Sequence, residues 1–317
     1  MLDFLLLALG IVALLAGGGL LVRGASDLAR LAGVPPLVVG LTVVAFGTSI
    51  PELAVNLAAA LRGQTGLCFG NVIGSNIANA GLILGAAALL RPVTVGPTIL
   101  AREIPLLVLG SVATLALGAD GLLSGGPDQI ARGDAIVLLL FFGVFLYFTA
   151  RDVLGGGVAG AAAAGRASTG SKVGSTIRIM LGLALLTAGG WATVGGARGV
   201  AAALGMPESV IGLSIIAVGT SLPELVTSVI AARRGESDLA VGNVVGSNLF
   251  NLFFILGLSG TIAPVPLPAG GLRDLLVMSG LTLVLLPMGF SDRSRIVRWE
   301  GGALLVLYAV YSVSVWL

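Results

Sequence analysis

The stretch GVPPLVVGLTVVAFGTSIPELAVNLAAALRGQTGLCFGNVIGSNIANAGLILG, from Gly33 to Gly85, returns 172 positions later as GMPESVIGLSIIAVGTSLPELVTSVIAARRGESDLAVGNVVGSNLFNLFFILG, from Gly205 to Gly257. The two copies align without a gap. About half of their positions are identical, and most of the others exchange one apolar residue for another. A match of this length at one constant offset is an internal repeat, and the repeat organises the reading of everything around it. It extends outward, since Ala16-Gly17-Gly18 with Gly24-Ala25 finds Ala188-Gly189-Gly190 with Gly196-Ala197 at the same spacing.

Both copies are apolar at spanning length, and so is most of the chain. Of its 317 residues, 56% are hydrophobic and only 10% charged, with a mean hydropathy of +1.08. That composition makes the lipid bilayer its solvent. A spanning helix takes about 20 mainly apolar residues. Ten such stretches are expected, near 2–22, 36–61, 67–90, 98–117, 132–150, 176–201, 208–232, 239–260, 272–289 and 299–316. Long continuous apolar runs exclude a strand barrel, which would alternate in polarity. The opening MLDFLLLALGIVALLAGGGLLVRGASDLAR lacks a positive n-region and reads as a span, not as a signal peptide.

Five spans per copy is an odd number, so the second copy enters the membrane inverted. The expected architecture is therefore all-α: a first five-helix repeat over 1–150 with its motif at about 33–85, a cytoplasmic linker over 151–175, and an inverted repeat over 176–317 with its motif at about 205–257. The linker contains GGGVAGAAAAGRASTGSK, a flexible composition. Paired inverted repeats with an ion site at their interface, near the midplane, are a recurring design of secondary transporters.

The 17 basic residues sort by side under this scheme. Arg23, Arg30, Arg91, Arg102, Arg151, Arg166, Lys172, Arg178, Arg233, Arg234, Arg293, Arg295 and Arg298 share one side, and Arg62, Arg132, Arg198 and Arg273 the other. The bias places the larger group in the cytoplasm and both termini outside. It also accounts for the sequence pI of about 9.1 without a nucleic-acid partner. The single cysteine, Cys68, and the lack of histidine exclude an internal disulfide and imidazole chemistry.

Inside each repeat one apolar helix is interrupted by Gly-Thr-Ser-x-Pro-Glu, at Gly47 to Glu52 and at Gly219 to Glu224. The prolines remove an N–H and clash with the preceding turn, so carbonyls at Gly47, Gly219 and the neighbouring Ala45 and Ala217 are expected to lose helical partners. Unpaired carbonyls at membrane depth require protein, water or an ion. Glu52 and Glu224 follow directly, and an intramembrane carboxylate is costly enough to be functional by default. A structural pairing with Lys or Arg has no basic residue within the apolar part of either block to draw on. Thr48, Ser49, Thr220 and Ser221 add hydroxyls one turn away, with back-bonding to the helix as their plainer role.

The next helix carries Gly-Asn-Val-x-Gly-Ser-Asn-x-x-Asn, at Gly70 to Asn79 and Gly242 to Asn251. Ser75 and Asn79 share one face, as do Ser247 and Asn251, and Asn71 extends it by a turn. Such a face is either interhelical glue or a ligand set. Two carboxylates with neutral oxygens suit a hard cation such as calcium or sodium, and do not suit zinc or copper.

At GTSIPEL with GNVIGSNIAN, and GTSLPEL with GNVVGSNLFN, the chain resembles the cation/calcium exchanger superfamily, specifically prokaryotic sodium/calcium exchangers with two alpha repeats. The resemblance implies an antiporter that works by alternating access. It makes Glu52 and Glu224 the central calcium ligands, and assigns Ala45 and Ala217 carbonyls with Thr48, Ser49, Thr220, Ser221, Ser75, Ser247, Asn79 and Asn251 to the calcium site and its flanking sodium sites. It implies no enzyme activity and no cofactor, with calcium and sodium as transported ions and the chain working as a monomer. Relatives that use potassium include members with Asp where Asn251 stands, and proton-coupled relatives tend to carry an acid in the helix after the Pro-Glu break. Both features are missing here, which favours sodium over the alternative of a proton/calcium exchanger. A cation channel is the other alternative, and two inverted halves in one chain argue against it, since channels usually assemble identical subunits around a pore. The resemblance to prokaryotic members also implies a plasma (inner) membrane.

Overall fold

The computed structural model describes residues 2–123, 125–154, 171–204, 219–290 and 294–316. Ala217, Arg166, Arg293, positions 155–170 of the expected linker and positions 205–218 of the second motif lie outside the described residues. The rest is almost wholly helical. The long helices are α1 (Leu2–Ala32), the bent pair α2 (Pro36–Thr48) and α3 (Ile50–Leu61), α4 (Thr65–Leu90), α5 (Ile99–Gly118), α6 (Arg132–Leu154) and α7 (Lys172–Ala203). They continue with α8 (Leu222–Arg234), α9 (Ser237–Ile262), α10 (Gly271–Phe290) and α11 (Arg298–Trp316). Among the described residues, seven helices are long and apolar enough to cross a membrane, or eight if the bent pair is one span.

Several helices outrun the expected stretches. α1 continues past Arg23 to Ala32 because its charged end is paired: Asp27 accepts from Arg30 at 2.8 Å and from Arg178 of α7 at 2.7 Å. α6 and α7 reach into the expected linker, to Leu154 and from Lys172. Ser171 caps α7, accepting from the Gly174 N–H at 3.0 Å, as serine does at a helix start.

α1 and α7 pack against each other antiparallel on glycines. A Cβ at Gly10 would meet the Gly189 carbonyl at 2.9 Å, one at Gly17 the Gly182 carbonyl at 2.8 Å, and one at Gly24 the Ser175 carbonyl at 2.9 Å. Without side chains the two backbones approach closely, and dispersion along the seam replaces the hydrophobic drive that lipid cannot supply. α4 and α9 form the centre, and α9 is the most enclosed, with 94% of its apolar window buried. Gly85 of α4 seats α11 at Gly301, while Gly257 of α9 seats α6 at Ala135 and Leu139.

Two short antiparallel ladders close the loops: β1 (Val93–Thr94) with β4 (Arg295–Ile296), and β2 (Gln129–Ile130) with β3 (Val265–Pro266). Each joins a loop from residues before the linker to a loop from residues after it, so neither half closes on itself.

Candidate functional site

The bend between α2 and α3 is 47° and falls at Ser49, whose backbone leaves the helix at φ −86°, ψ 7°. Ser221 takes nearly the same conformation, φ −85°, ψ 5°, ahead of α8. Pro51 and Pro223 then sit in the first turn of the restarted helices, where a missing N–H costs nothing. Glu52 and Glu224 lie in those same first turns, at the positive end of each half-helix, where a negative charge is stabilised. Both side chains are 1% exposed.

One expectation is corrected. The Ala45 carbonyl keeps a helical partner, accepting from the Ser49 N–H at 3.1 Å. It also accepts from the Thr48 hydroxyl at 3.3 Å and the Ser247 hydroxyl at 3.5 Å. The break is shorter than the proline alone suggested, because Pro51 withholds its N–H from Gly47 and from no residue further back.

The hydroxyls bridge the two motifs. Ser49 donates to Glu224 Oε1 at 3.0 Å, and Ser221 to the Ser75 hydroxyl at 3.3 Å. Thr48 donates to Asn243 Oδ1 at 3.2 Å and Thr220 to Asn71 Oδ1 at 3.5 Å. The Thr220 hydroxyl also lies beside the Glu52 carboxylate, and Glu52 is close enough to Glu224 for the two charges to interact. These hydrogen bonds, with that of Ser247 to the Ala45 carbonyl, join six hydroxyls of the expected set to one another or to Glu224, Asn71, Asn243 and Ala45 across the two motifs.

The asparagines divide into two kinds. Asn71 donates to Asn56 Oδ1 at 2.7 Å and Asn243 to Ser228 at 2.9 Å, and each reaches the backbone carbonyl of the nearer glutamate at 3.4 Å. These hold the broken helix against the next one. Asn76 and Asn248, exactly one repeat offset apart, were not singled out in the sequence; each donates to the other's backbone carbonyl at 3.3 Å and clamps α4 to α9. Asn248 Oδ1 further accepts from Asn79 at 2.9 Å. The signal was present, since Asn76 and Asn248 stand in both copies of Gly-Ser-Asn, but they lie off the face shared by Ser75 and Asn79.

The second kind keeps polar atoms without a partner. Among the described residues, both carboxylate oxygens of Glu52, Oε2 of Glu224, Oδ1 of Asn79 and both amide atoms of Asn251 are buried without a hydrogen-bond partner, and so is Oδ1 of Asn76, whose amide nitrogen belongs to the clamp. Neither glutamate forms an ion pair with a described Lys or Arg. A buried charge without compensation costs several kcal/mol, on the order of 3–5 when a partner is removed. The cluster is thus an oxygen-lined site of negative charge, complementary to a desolvated hard cation. Asn79 and Asn251 each open a π-helical turn, Ala78–Ile83 and Phe250–Ile255, and a third precedes the break at Gly40–Val44. Local widening of this kind is common at functional sites, and no sequence signal announced it.

A cavity of about 320 Å³ reaches this cluster at Thr220, Pro51 and Pro223, and its walls include Thr187, Trp191 and Arg198.

The family model described as sodium/calcium exchanger protein matches residues 2–151 and 174–317. Among curated proteins, the putative antiporter CaxA of Alkalimonas amylolytica is 38% identical over 305 residues, covering 95% of each chain. The sodium/calcium exchanger MaX1 of Methanosarcina acetivorans is 35% identical over 342 residues, covering 98% of this chain and 97% of that protein. The inner membrane protein YrbG of Escherichia coli is 39% identical, over 88% of this chain and 86% of its own. A solved structure of the sodium-calcium exchanger NCX_Mj, soaked with Na+ and Ca2+, superposes with a TM-score of 0.84 at 30% identity and covers 99% of this chain and 98% of that one.

Proposed function

This chain belongs to the sodium/calcium exchanger protein family, and we propose that its exchange runs through one site framed by Glu52 and Glu224. It is a membrane antiporter that exchanges calcium for sodium. The observation that carries the site is the pair of buried glutamates with three of four carboxylate oxygens unpartnered and, among the described residues, no basic side chain paired with them. Calcium between them satisfies the charge, with Asn79, Asn251, Ser75 and Ser247 as neutral ligands; the Ala45 carbonyl joins them when the Thr48 and Ser247 hydroxyls turn from it. Thr48, Ser49, Thr220 and Ser221 complete the calcium site and flanking sodium sites, and the Ala217 carbonyl takes the position of Ala45 in the second copy.

The working arrangement we propose is ten spans in two inverted five-helix repeats, with α2 and α3 together as one broken span and α8 as the latter half of its counterpart. The antiparallel α1 and α7, whose glycines are offset mates, support it, as do the reciprocal Asn76 and Asn248 bonds. The basic residues orient the chain with both termini outside, and one copy carries the whole route. Arg198 belongs to the outer group, so the cavity at Thr220 is the approach from outside.

Transport follows by alternating access. Filled with calcium or sodium, the site is neutralised and crosses the low-dielectric barrier. Empty, it carries two unpaired charges and cannot, which enforces exchange and prevents leak. The test is calcium-45 uptake into proteoliposomes at fixed pH, with and without an outward sodium gradient. Uptake is expected only with the gradient; uptake indifferent to sodium and driven by a pH gradient would assign proton coupling instead.

A further inference from the structure

A cavity of about 590 Å³ opens between α1 and α8, at the end that the proposed span arrangement places in the cytoplasm. Leu15, Leu20 and Ile230 form its apolar floor, and Arg23, Arg233 and Arg234 ring it. All three arginines are exposed. Among the described residues none of them forms an ion pair. Arg234 instead donates to the Gly19 carbonyl of α1 at 3.1 Å, and it lies close enough to Arg23 for the two guanidiniums to repel, with Glu236 the acid that also acts on it. A fourth guanidinium, that of Arg91, stands behind Arg233 and donates to its carbonyl at 3.1 Å.

Like charges gathered at the rim of an apolar groove whose lining holds no carboxylate are complementary to a group with a negative head and an apolar tail. In a spanning protein that group is a lipid. Basic pockets between helices at the cytoplasmic surface suit anionic headgroups, and guanidinium forks match phosphate oxygens. We propose that this groove holds one anionic phospholipid, its phosphate between Arg23 and Arg233 and one acyl chain along Leu15, Leu20 and Ile230. Arg234 stays on Gly19 and forms the back wall, joining α8 to α1. The site lies apart from the glutamate cluster and shares no residue with it.

Native mass spectrometry of the full chain, extracted from vesicles of phosphatidylcholine with phosphatidylglycerol, tests this. The wild type is expected to retain phosphatidylglycerol in preference to phosphatidylcholine. Arg23→Gln combined with Arg233→Gln is expected to lower that retention by on the order of 30-fold. Arg151→Gln with Arg295→Gln removes two exposed charges from the same end, away from the groove, and is expected to retain the lipid as the wild type does. Equal retention of both lipids by the wild type, undiminished retention by the groove variant, or equal losses in both variants would overturn the site. Sodium-driven calcium uptake in phosphatidylcholine alone is measured in parallel, and its failure would count against the exchange assignment and not against the lipid site.

Discussion

At the scale of single residues, the division of the asparagines separates holding from binding. Asn243 is satisfied on both sides, by Thr48 at 3.2 Å and Ser228 at 2.9 Å. Asn243→Ala removes the donor to Ser228 and leaves the Thr48 hydroxyl only the Ala45 carbonyl, and the expected cost is about 1–3 kcal/mol of stability, seen as a lower unfolding temperature in detergent. Asn251 has neither amide atom paired, so Asn251→Ala should leave that temperature nearly unchanged while weakening calcium dependence of exchange. The reverse pattern would exchange their roles. Glu52→Gln or Glu224→Gln removes half of the negative charge, and uptake is expected to fall by roughly 100-fold or more with the protein still folded. Near-normal transport by either variant would remove these two residues from the site.

Elements are held by backbone proximity. The α1–α7 seam allows no Cβ at Gly17, where the Gly182 carbonyl would stand at 2.8 Å, or at Gly182, where the Leu21 nitrogen would stand at 2.7 Å. These obstacles are main-chain atoms, which cannot turn aside as a side chain does. Gly17→Val must separate the helices, at an overpacking cost of about 1–3 kcal/mol, and exchange should drop with it. Gly66, with open space around its position, provides the control: Gly66→Ala is expected to leave both properties as they are. Comparable loss in both variants would show the seam to be no tighter than the rest of the fold.

For the molecule as a whole, the proposed alternating access makes the cavity at Thr220 one end of a route whose opposite end closes when this one is open. The chain has one natural cysteine, Cys68, and it is buried, so an introduced thiol is read against a quiet background. Thr187→Cys in the cavity wall should react with a membrane-impermeant thiol reagent from the outer side, and saturating sodium or calcium should change the rate several-fold by shifting the populations of the two states. A rate indifferent to both ions would contradict a single alternating site.

The repeat offset, the number of apolar stretches and the two Pro-Glu breaks are covalent facts of order along the chain, and they were enough to give a helical membrane protein with two acids in equivalent places. Helix ends were less legible, because α1 reaches Ala32 only through the pairing of Asp27 with Arg178 of α7, a partner 151 positions away. The choice between glue and ligand at each polar residue was not legible at all. Asn71, Asn76 and Asn79 stand in one motif, yet Asn71 has both ends of its amide paired while Asn76 and Asn79 each donate across to α9 and keep a carbonyl oxygen unpaired. Composition determined that these oxygens lie on helices that span the bilayer. Only the packing of α4 against α9 decided which of them were left without a hydrogen-bond partner, because satisfaction is a property of neighbours and the neighbours come from the other half of the chain.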